Sequence, residues 1–282
     1  IDVSLVGSEM CIRDRFGAYS HLACIEVFSN CTAIPCETFE AALEHVHEGT
    51  SDYAMLPVEN SVAGRVADIH YMLSGYDLKI FAEHFQKVEH QLLGTKDSSL
   101  DTIENVRSHT MAVGQCGKII KELDLKTIVM ADTAGSAKYL NEHGTNKDSA
   151  IASKLAADTY GLQVLKENIQ DVAHNVTRFL IMSNNEQQTR QDNTNYLTSC
   201  IFEVKSVPSA LYKALGGFAT NGVNLTKLES FIIEGDFNKA QFYVDLDGHT
   251  DDVPVKRALE ELGYYTEKLI VLGVYPKHQY RS

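Results

Sequence analysis

A polar segment at residues 183–195 divides the chain into two parts with different patterns. Its sequence, Ser-Asn-Asn-Glu-Gln-Gln-Thr-Arg-Gln-Asp-Asn-Thr-Asn, has almost no apolar residue and is typical of a linker. After it, hydrophobic periodicity over 196–282 predicts the order strand, helix, strand, strand, helix, strand. That order is the ferredoxin-like β-α-β-β-α-β arrangement. Before the linker, strands alternate with helices, so residues 1–182 are predicted to be an α/β region.

The same periodicities place the individual elements. In the first region we predict helices at 16–28, 38–47, 66–73, 114–123, 133–141 and 153–160, and extended segments at 52–58, 78–93, 127–130, 150–152 and 179–182. In the second region we predict strands at 197–204, 224–233, 239–246 and 269–274, and helices at 208–220 and 253–262. Residues 1–7 fit a strand and turn, whereas residues 8–15 show neither helical nor strand periodicity.

Composition excludes several classes of function. The chain has 25 basic and 38 acidic residues, a net charge of −13, and no basic run of the kind that binds nucleic acid. Its six cysteines form neither a Cys-x-x-Cys pair nor a zinc-spaced cluster, so we expect reduced thiols, a cytoplasmic location and no metal. No apolar run reaches the roughly 20 residues of a membrane span, and the first residues lack a basic region followed by an apolar run, so we expect neither a membrane span nor a secretion signal.

Five stretches, in this order, resemble the prephenate dehydratase family. They are Gly17-Ala18-Tyr19-Ser20-His21-Leu22-Ala23; Pro57-Val58-Glu59-Asn60-Ser61-Val62-Ala63-Gly64; Ser108-His109 with Gln115-Cys116; Asn175-Val176-Thr177-Arg178-Phe179; and, in the tail, Pro208-Ser209-Ala210-Leu211 with Leu225-Thr226-Lys227-Leu228-Glu229-Ser230. Each motif alone is weak. Their shared order, from about Phe16 to the C-terminus, makes the resemblance specific.

The resemblance implies a fold. The catalytic region, 1–182, would form two α/β lobes like those of type II periplasmic binding proteins, with the substrate in the cleft between them. Lobe 1 would comprise about 1–77 and 150–182, and lobe 2 about 78–149. Residues 196–282 would form a ferredoxin-like ACT domain, a regulatory module that binds an amino acid.

The resemblance also implies an activity, the conversion of prephenate to phenylpyruvate, CO2 and water in phenylalanine biosynthesis. Aromatisation drives this fragmentation, so no cofactor is expected. Two alternatives remain open. Arogenate dehydratase performs the same chemistry on an aminated substrate with the same Thr-Arg-Phe motif, and a two-lobed fold also serves non-catalytic proteins that sense amino acids.

By resemblance, Thr177 donates a hydrogen bond to the departing hydroxyl, a contact that strengthens in the transition state. Taken alone, Thr177 is as well explained as a turn cap or strand residue. Arg178 would clamp a substrate carboxylate, the positive anchor that an acidic protein needs for a dianion. Phe179 is assigned to the core.

Further site residues follow from the other motifs. Asn60, Ser108 and Gln115 would contact the substrate, although a helix cap is an equally simple role for Ser108. Tyr19, Ser20 and Ser61 would line the cleft. Glu59 and His109 are given supporting roles, because a carboxylate repels a dianion and the reaction removes no C–H proton.

The tail motifs would bind phenylalanine as a feedback inhibitor at the interface of a homodimer or homotetramer. The residues concerned are Ser209, Ala210, Leu211, Asn224, Leu225, Glu229 and Ser230. Two positions depart from the family pattern. Asp14-Arg15-Phe16 precedes Gly17 where the family has a strand leading into Gly-x-x-Gly, and Phe231-Ile232 stands where many members have Arg-Pro.

Overall fold

The computed structural model describes residues 8–28, 30–66, 69–184, 190–205, 207–233 and 236–281. The described chain is a mixed α/β structure. Its strands are β1 Glu9–Arg13, β2 Thr32–Cys36, β3 Tyr53–Asn60, β4 Gly64–Arg65, β5 Lys79–Lys87, β6 Gln91–Gly94, β7 Asn105–His109, β8 Lys126–Met130, β9 Asp148–Ala152, β10 Gln163–Lys166, β11 Val176–Ser183, β12 Tyr196–Val204, β13 Leu225–Ile233, β14 Asp236–Asp247 and β15 Thr266–Pro276. Its helices are α1 Tyr19–Val27, α2 Phe39–His47, α3 Ile69–Met72, α4 Thr110–Gln115, α5 Gly117–Glu122, α6 Thr133–His143, α7 Lys154–Tyr160, α8 Ala210–Thr220 and α9 Val253–Tyr265, with a 3-10 helix at Gln279–Arg281.

The first sheet corrects the expectation that residues 8–15 lack regular structure. Its strand order is β2-β1-β3-β11-β5, with β4 paired to β3. Strand β1 lies inside this sheet, parallel to β2, and its central residues Met10, Cys11 and Ile12 are fully buried. A strand covered on both faces shows no polar alternation, so the periodicity test fails on it. The predicted strand and turn at 1–7 lies outside the described residues.

Strand β1 ends in an unusual conformation. Asp14 has φ 116°, a value that favours glycine, and its backbone N–H still donates to the Cys36 carbonyl at 3.0 Å. The resemblance described above implies a glycine at this position, as the first residue of a Gly-x-x-Gly turn. At this departure from the pattern, Asp14 adopts the backbone conformation of the expected glycine and is therefore strained.

The second sheet has the order β10-β6-β9-β7-β8, with β7 parallel to both β8 and β9. Both faces are covered. Leu92 and Ile151 belong to one core with α4 and α5, while Leu93 and Ala150 belong to another with α6 and α7. The predicted extended run at 78–93 is thus two strands in two sheets. The chain crosses from the first sheet to the second at residues 88–90, and crosses back at 167–175.

The C-terminal sheet has the order β13-β14-β12-β15, with every pairing antiparallel. The order strand, helix, strand, strand, helix, strand predicted for 196–282 is confirmed. Helices α8 and α9 cover one face through a core that includes Phe202, Phe218 and Leu262. Stacked rings of Phe202 and Phe242, with centroids 5.3 Å apart, fill its centre.

The described residues group into two compact units. One draws on Ile1–Ala42, Met55–Val66 and His84–Phe179, and the other on Leu43–Ala54, Ala67–Glu83 and Leu180–Ser282. The domain and lobe boundaries predicted from the sequence stay predictions, and residues 185–189 of the predicted linker lie outside the described part. No helix in that part is long and apolar enough to cross a membrane.

The helix predicted at 114–123 begins earlier and is interrupted. It forms α4 and α5, which meet at Cys116. The N-cap of α4 is His109, whose Nδ1 accepts from the Met111 N–H at 3.3 Å. The alternative role of Ser108 as a helix cap is therefore wrong, because Ser108 lies one residue earlier, inside β7.

Candidate functional site

Two neighbouring strands of the first sheet, β3 and β11, bring the central motifs together. On one face, Asn60 Nδ2 donates to Thr177 Oγ1 at 3.0 Å. On the other, Arg178 Nη1 lies 4.0 Å from Glu59 Oε2 and the Arg178 side chain is 3% exposed. Successive residues of a strand face opposite sides, so Thr177 and Arg178 are separated by the sheet. The structure therefore pairs Thr177 with Asn60 and does not place Arg178 beside them.

Backbone amides fix the orientation of Asn60. Its Oδ1 accepts from the N–H groups of Val62 at 3.0 Å and Ala63 at 2.8 Å, in the turn that follows β3. Because these donors occupy the oxygen, the Nδ2 group must face the other way. There it donates to Asn175 Oδ1 at 2.8 Å as well as to Thr177.

The hydrogen bonding continues from Asn175. Asn175 Nδ2 lies 2.9 Å from Gln115 Oε1, and the same oxygen lies 2.9 Å from His90 Nε2. His90 Nδ1 in turn lies 2.9 Å from the Tyr19 hydroxyl. We call these residues the amide chain. Its members, in order, are Tyr19, His90, Gln115, Asn175, Asn60 and Thr177.

The amide chain passes through the two segments that join the first and second sheets. His90 lies on the outgoing crossover and Asn175 on the returning one. The crossovers also bond to each other, since the Val88 N–H donates to the Asn175 carbonyl and the Ile169 N–H to the His90 carbonyl, both at 2.8 Å. Gln115 is the last residue of α4, a helix that packs on the second sheet. The hydrogen bonds of the amide chain therefore hold Gln115, on the side of the second sheet, in a fixed position relative to Asn60 and Thr177 on the first sheet.

Burial keeps the amide chain uncharged. His90 is 2% exposed, and desolvation lowers the pKa of its imidazole, an effect that its hydrogen bond with Gln115 partly offsets. Desolvation also raises the pKa of the Tyr19 phenol well above its ordinary value. The pKa of the neighbouring Cys116 thiol is raised to about 12 by burial and by Asp171. At neutral pH these groups act as hydrogen-bonding dipoles and carry no charge.

This arrangement determines which groups remain to act on a ligand. The Thr177 oxygen already accepts from Asn60, so its O–H is directed away as a donor. The Gln115 oxygen receives two hydrogen bonds, and its Nε2 bonds to no residue in the described part of the chain. Thr177 and Gln115 are half-buried. The site therefore presents neutral donors, which suit an oxygen that gains negative charge.

The remaining predicted cleft residues lie apart from the amide chain or support it. Ser108 is fully buried and donates to the Ile151 carbonyl at 2.7 Å. Ser20 is 5% exposed and donates to the Arg13 carbonyl at 3.1 Å. Ser61 packs against the start of β11, where its hydroxyl donates to the His174 carbonyl at 2.8 Å and accepts from the Val176 N–H at 3.0 Å. Their roles as substrate ligands stay predictions.

Sequence reasoning missed His90 and gave no role to Asn175, although it quoted Asn175 in a motif. The partners of His90 are 71 and 25 residues away along the chain, so no local pattern reveals them. The one available signal was a histidine two residues before the buried run Leu92-Leu93, and on its own that indicates only a buried side chain.

The tail motifs lie before and after α8, at opposite ends of the C-terminal sheet, because Leu225 is level with the start of β12 and Ser209 follows its end. Ser209, with φ 63°, precedes α8, and Ala210 is buried at its first turn while Leu211 packs against the core. Asn224 Nδ2 donates to Asp247 Oδ2 at 2.8 Å, just before Leu225 opens β13. Glu229 pairs with Lys227 at 2.9 Å, and Ser230 is exposed. Across the residues that the structure describes, no group of three or more His, Cys, Asp or Glu side chains is arranged to hold a metal ion.

Comparisons with known proteins agree with these motifs. A family model described as prephenate dehydratase matches residues 15–187. A bifunctional N-acyl-homoserine lactone acylase/prephenate dehydratase of Komagataeibacter europaeus is 45% identical over 269 residues, covering 95% of this chain and 96% of that protein. Arogenate dehydratase/prephenate dehydratase 1 of Arabidopsis thaliana, a chloroplastic protein, is 37% identical over 274 residues, covering 92% of this chain and 70% of the relative.

A solved structure is similar over nearly the whole chain. It is prephenate dehydratase from Arthrobacter aurescens in complex with L-Phe, 30% identical, with a TM-score of 0.88. The match covers 95% of this chain and 90% of the other.

Proposed function

The chain belongs to the prephenate dehydratase family, and we propose that it converts prephenate to phenylpyruvate, CO2 and water. The observation that carries this proposal is the hydrogen bond from Asn60 to Thr177, which leaves the Thr177 O–H free to donate. Prephenate loses a ring carboxylate and a ring hydroxyl together. The departing hydroxyl gains negative charge, and a fixed neutral donor stabilises it more in the transition state than in the ground state.

We assign the substrate contacts to Thr177 and Gln115, with Tyr19 beside them. Asn60, whose amide hydrogens and oxygen all have partners within the protein, orients the Thr177 hydroxyl. A threonine hydroxyl is too weak an acid to transfer its proton fully, so it acts as a hydrogen-bond donor throughout. Arg178 supports the site from the opposite face of the sheet, where it lies near Glu59. Substrate binding through Ser108 would require its hydroxyl to exchange the Ile151 carbonyl for the ligand.

Phenylpyruvate formation from prephenate by the purified chain tests the proposal. We expect turnover without any added cofactor. The absence of turnover together with retained prephenate binding would favour a non-catalytic binding protein and overturn the assignment.

Arogenate is a second candidate substrate, because plant relatives such as the Arabidopsis thaliana protein carry both activities in their name. The two substrates differ where a keto group is replaced by an ammonium group, away from the ring hydroxyl that Thr177 would contact. The ratio of kcat/KM for the two compounds decides between them. A higher value for arogenate would make the chain an arogenate dehydratase.

An N-acyl-homoserine lactone acylase activity is a further candidate, favoured by the 45% identity to the Komagataeibacter europaeus protein. Amide cleavage needs an activated nucleophile or water, whereas the Thr177 hydroxyl is partnered by an amide and not by a base. Release of homoserine lactone from an N-acyl-homoserine lactone measures this activity. Release that persists in a Thr177→Val variant would show that it uses another group.

We assign residues 196–282 to an ACT domain that binds phenylalanine as a feedback inhibitor. The confirmed β-α-β-β-α-β order and the L-Phe complex of the Arthrobacter aurescens protein support this assignment. Ser209 to Leu211, Asn224, Leu225, Glu229 and Ser230 would form the site at a dimer interface. Inhibition of prephenate turnover by phenylalanine, and its loss in an Asn224→Ala variant, is the expected result. Turnover that does not respond to phenylalanine would contradict it.

A further inference from the structure

His90 has a role that neither the motifs nor the family match assigns. It lies on the crossover between the first and second sheets, is 2% exposed, and has hydrogen-bond partners for both ring nitrogens. A buried imidazole with two partners has a definite tautomer, set by what each partner needs. The hydrogen bonds of the amide chain, followed from Asn60 to His90, determine which ring nitrogen carries the hydrogen.

The starting point is the backbone. Val62 and Ala63 N–H groups can only donate, so the atom of Asn60 that they contact is the oxygen. The Asn60 nitrogen is therefore the atom that faces Asn175, and the Asn175 atom 2.8 Å away must be an acceptor, its Oδ1.

The orientations of Asn175 and Gln115 follow from that of Asn60. With its oxygen used, Asn175 presents Nδ2 to Gln115, whose contacting atom is therefore Oε1. That oxygen also lies 2.9 Å from His90 Nε2. A carbonyl oxygen can only accept, so His90 Nε2 must carry the hydrogen.

The other side of the ring is then determined as well. A neutral imidazole with Nε2–H has a bare Nδ1, which accepts from the Tyr19 hydroxyl at 2.9 Å. The carbonyl of Glu89 lies at the same distance from that hydroxyl. If the ring gained a second proton, Nδ1–H would donate to the Tyr19 oxygen and the hydroxyl would turn to Glu89.

We propose that His90, as the neutral Nε2–H tautomer, is a positioning residue that holds Gln115 with its carboxamide nitrogen directed to the substrate. This inference rests on the proposed function, since it gives Gln115 a substrate to bind. His90 fixes the oxygen side of Gln115 on a rigid crossover, so the Nε2 donor is pre-oriented before the ligand arrives. Without His90, Asn175 alone would hold that oxygen, and the carboxamide would rotate about a single hydrogen bond.

Two variants separate positioning from packing. His90→Gln can place a side-chain N–H where Nε2 lies, whereas His90→Leu fills space with no donor. We expect kcat/KM for prephenate to fall by about 10–100-fold in His90→Leu, the usual effect of removing one partner of a buried hydrogen bond, with most of it recovered in His90→Gln. Equal activities of the two variants, at comparable free energies of unfolding, would overturn the proposal.

A spectroscopic measurement decides the tautomer without reference to activity. In protein labelled with 15N at histidine, the His90 resonances are identified by their absence from the His90→Gln spectrum. We expect a protonated Nε2 and a bare Nδ1 at pH 7.5. A ring protonated at Nδ1 would contradict the derivation. Failure of the wild-type chain to turn over prephenate would overturn the proposed function. The NMR measurement would still show whether His90 has the tautomer that holds the Gln115 oxygen.

Discussion

The amide chain and a second buried polar cluster use hydrogen bonds in opposite ways. The second, which we call the charged cluster, comprises Glu83, Asp245, Arg281, Ser199 and Tyr243. Arg281 Nε and Nη2 donate to both oxygens of Glu83 at 2.8–3.1 Å, and Nη2 lies 3.6 Å from Asp245. Ser199 and Tyr243 hydroxyls each donate to Asp245 Oδ1 at 2.6 Å.

The two networks differ in whether hydrogen-bond donors remain available to a ligand. In the charged cluster, donors converge on two carboxylates whose side chains are 0% exposed, and the network ties the C-terminal 3-10 helix to β5 and β14. In the amide chain, each hydrogen bond uses an acceptor oxygen of Thr177 or Gln115 and leaves the donor of that residue, Thr177 O–H or Gln115 Nε2, available. A closed network contributes to stability, whereas a polar network that ends on half-buried donors is suited to bind a ligand.

The largest expected effect concerns the charged cluster. Arg281→Met removes the guanidinium that pairs with the buried carboxylates of Glu83 and Asp245, and we expect the free energy of unfolding to fall by about 3–5 kcal/mol. Denaturant unfolding measures it. The matched control is Lys147→Met, which breaks an exposed pair with Glu104 at 2.7 Å and should leave stability unchanged. Equal effects in the two variants would show that burial does not distinguish these pairs.

The amide chain can be broken at Asn175 with almost no change of shape. Asn175 is 1% exposed, and Asn175→Asp replaces its Nδ2 donor with an oxygen that faces the Gln115 oxygen. We expect the free energy of unfolding to fall by about 1–3 kcal/mol and kcat/KM to fall by about 10-fold or more. Asn141→Asp, on the exposed side of α6, is the control and should change neither quantity. Normal kinetics in Asn175→Asp would mean that the direction of the hydrogen bonds is unimportant.

The smallest expected effect is a pH dependence. Burial lowers the pKa of His90 in the folded state, so the unfolded chain binds more protons as the pH falls below the unfolded histidine value of about 6.5. The contribution of the neutral His90 ring to the free energy of unfolding is therefore complete above the unfolded pKa. It is lost as the pH falls towards the pKa of His90 in the folded state. His21 and His84 shift in the same direction, so the test is the difference between the wild type and His90→Gln. Stability curves that stay parallel from pH 7.5 to 5.5 would contradict it.

The sequence predicted those features of the fold that depend on residues close together along the chain. The β-α-β-β-α-β order came from alternation and helical spacing. The motifs predicted that Asn60 and Thr177 belong to one site, but not the hydrogen bond between them. Strand β1 was missed because Met10, Cys11 and Ile12 are buried on both faces, and burial of that kind depends on β2 and β3.

Other features depended on partners far away in the chain. The opposite directions of Thr177 and Arg178 were within reach, since strand geometry alone separates adjacent residues. The role of His90 was not, because it depends on Tyr19 and Gln115 meeting at the junction of two sheets. Long-range polar contacts carry no periodic signal, so a single sequence cannot reveal them.

The most direct test of the account is a pair of substitutions at Thr177. Thr177→Ser keeps the hydroxyl that accepts from Asn60 and donates to the substrate, whereas Thr177→Val keeps the shape and removes the hydroxyl. We expect Thr177→Val to lower kcat for phenylpyruvate formation by about 10²–10³-fold, equivalent to about 3–4 kcal/mol, and Thr177→Ser to retain most of the wild-type rate. A Thr177→Val enzyme as active as Thr177→Ser would contradict the claim that this donor stabilises the departing hydroxyl in the transition state.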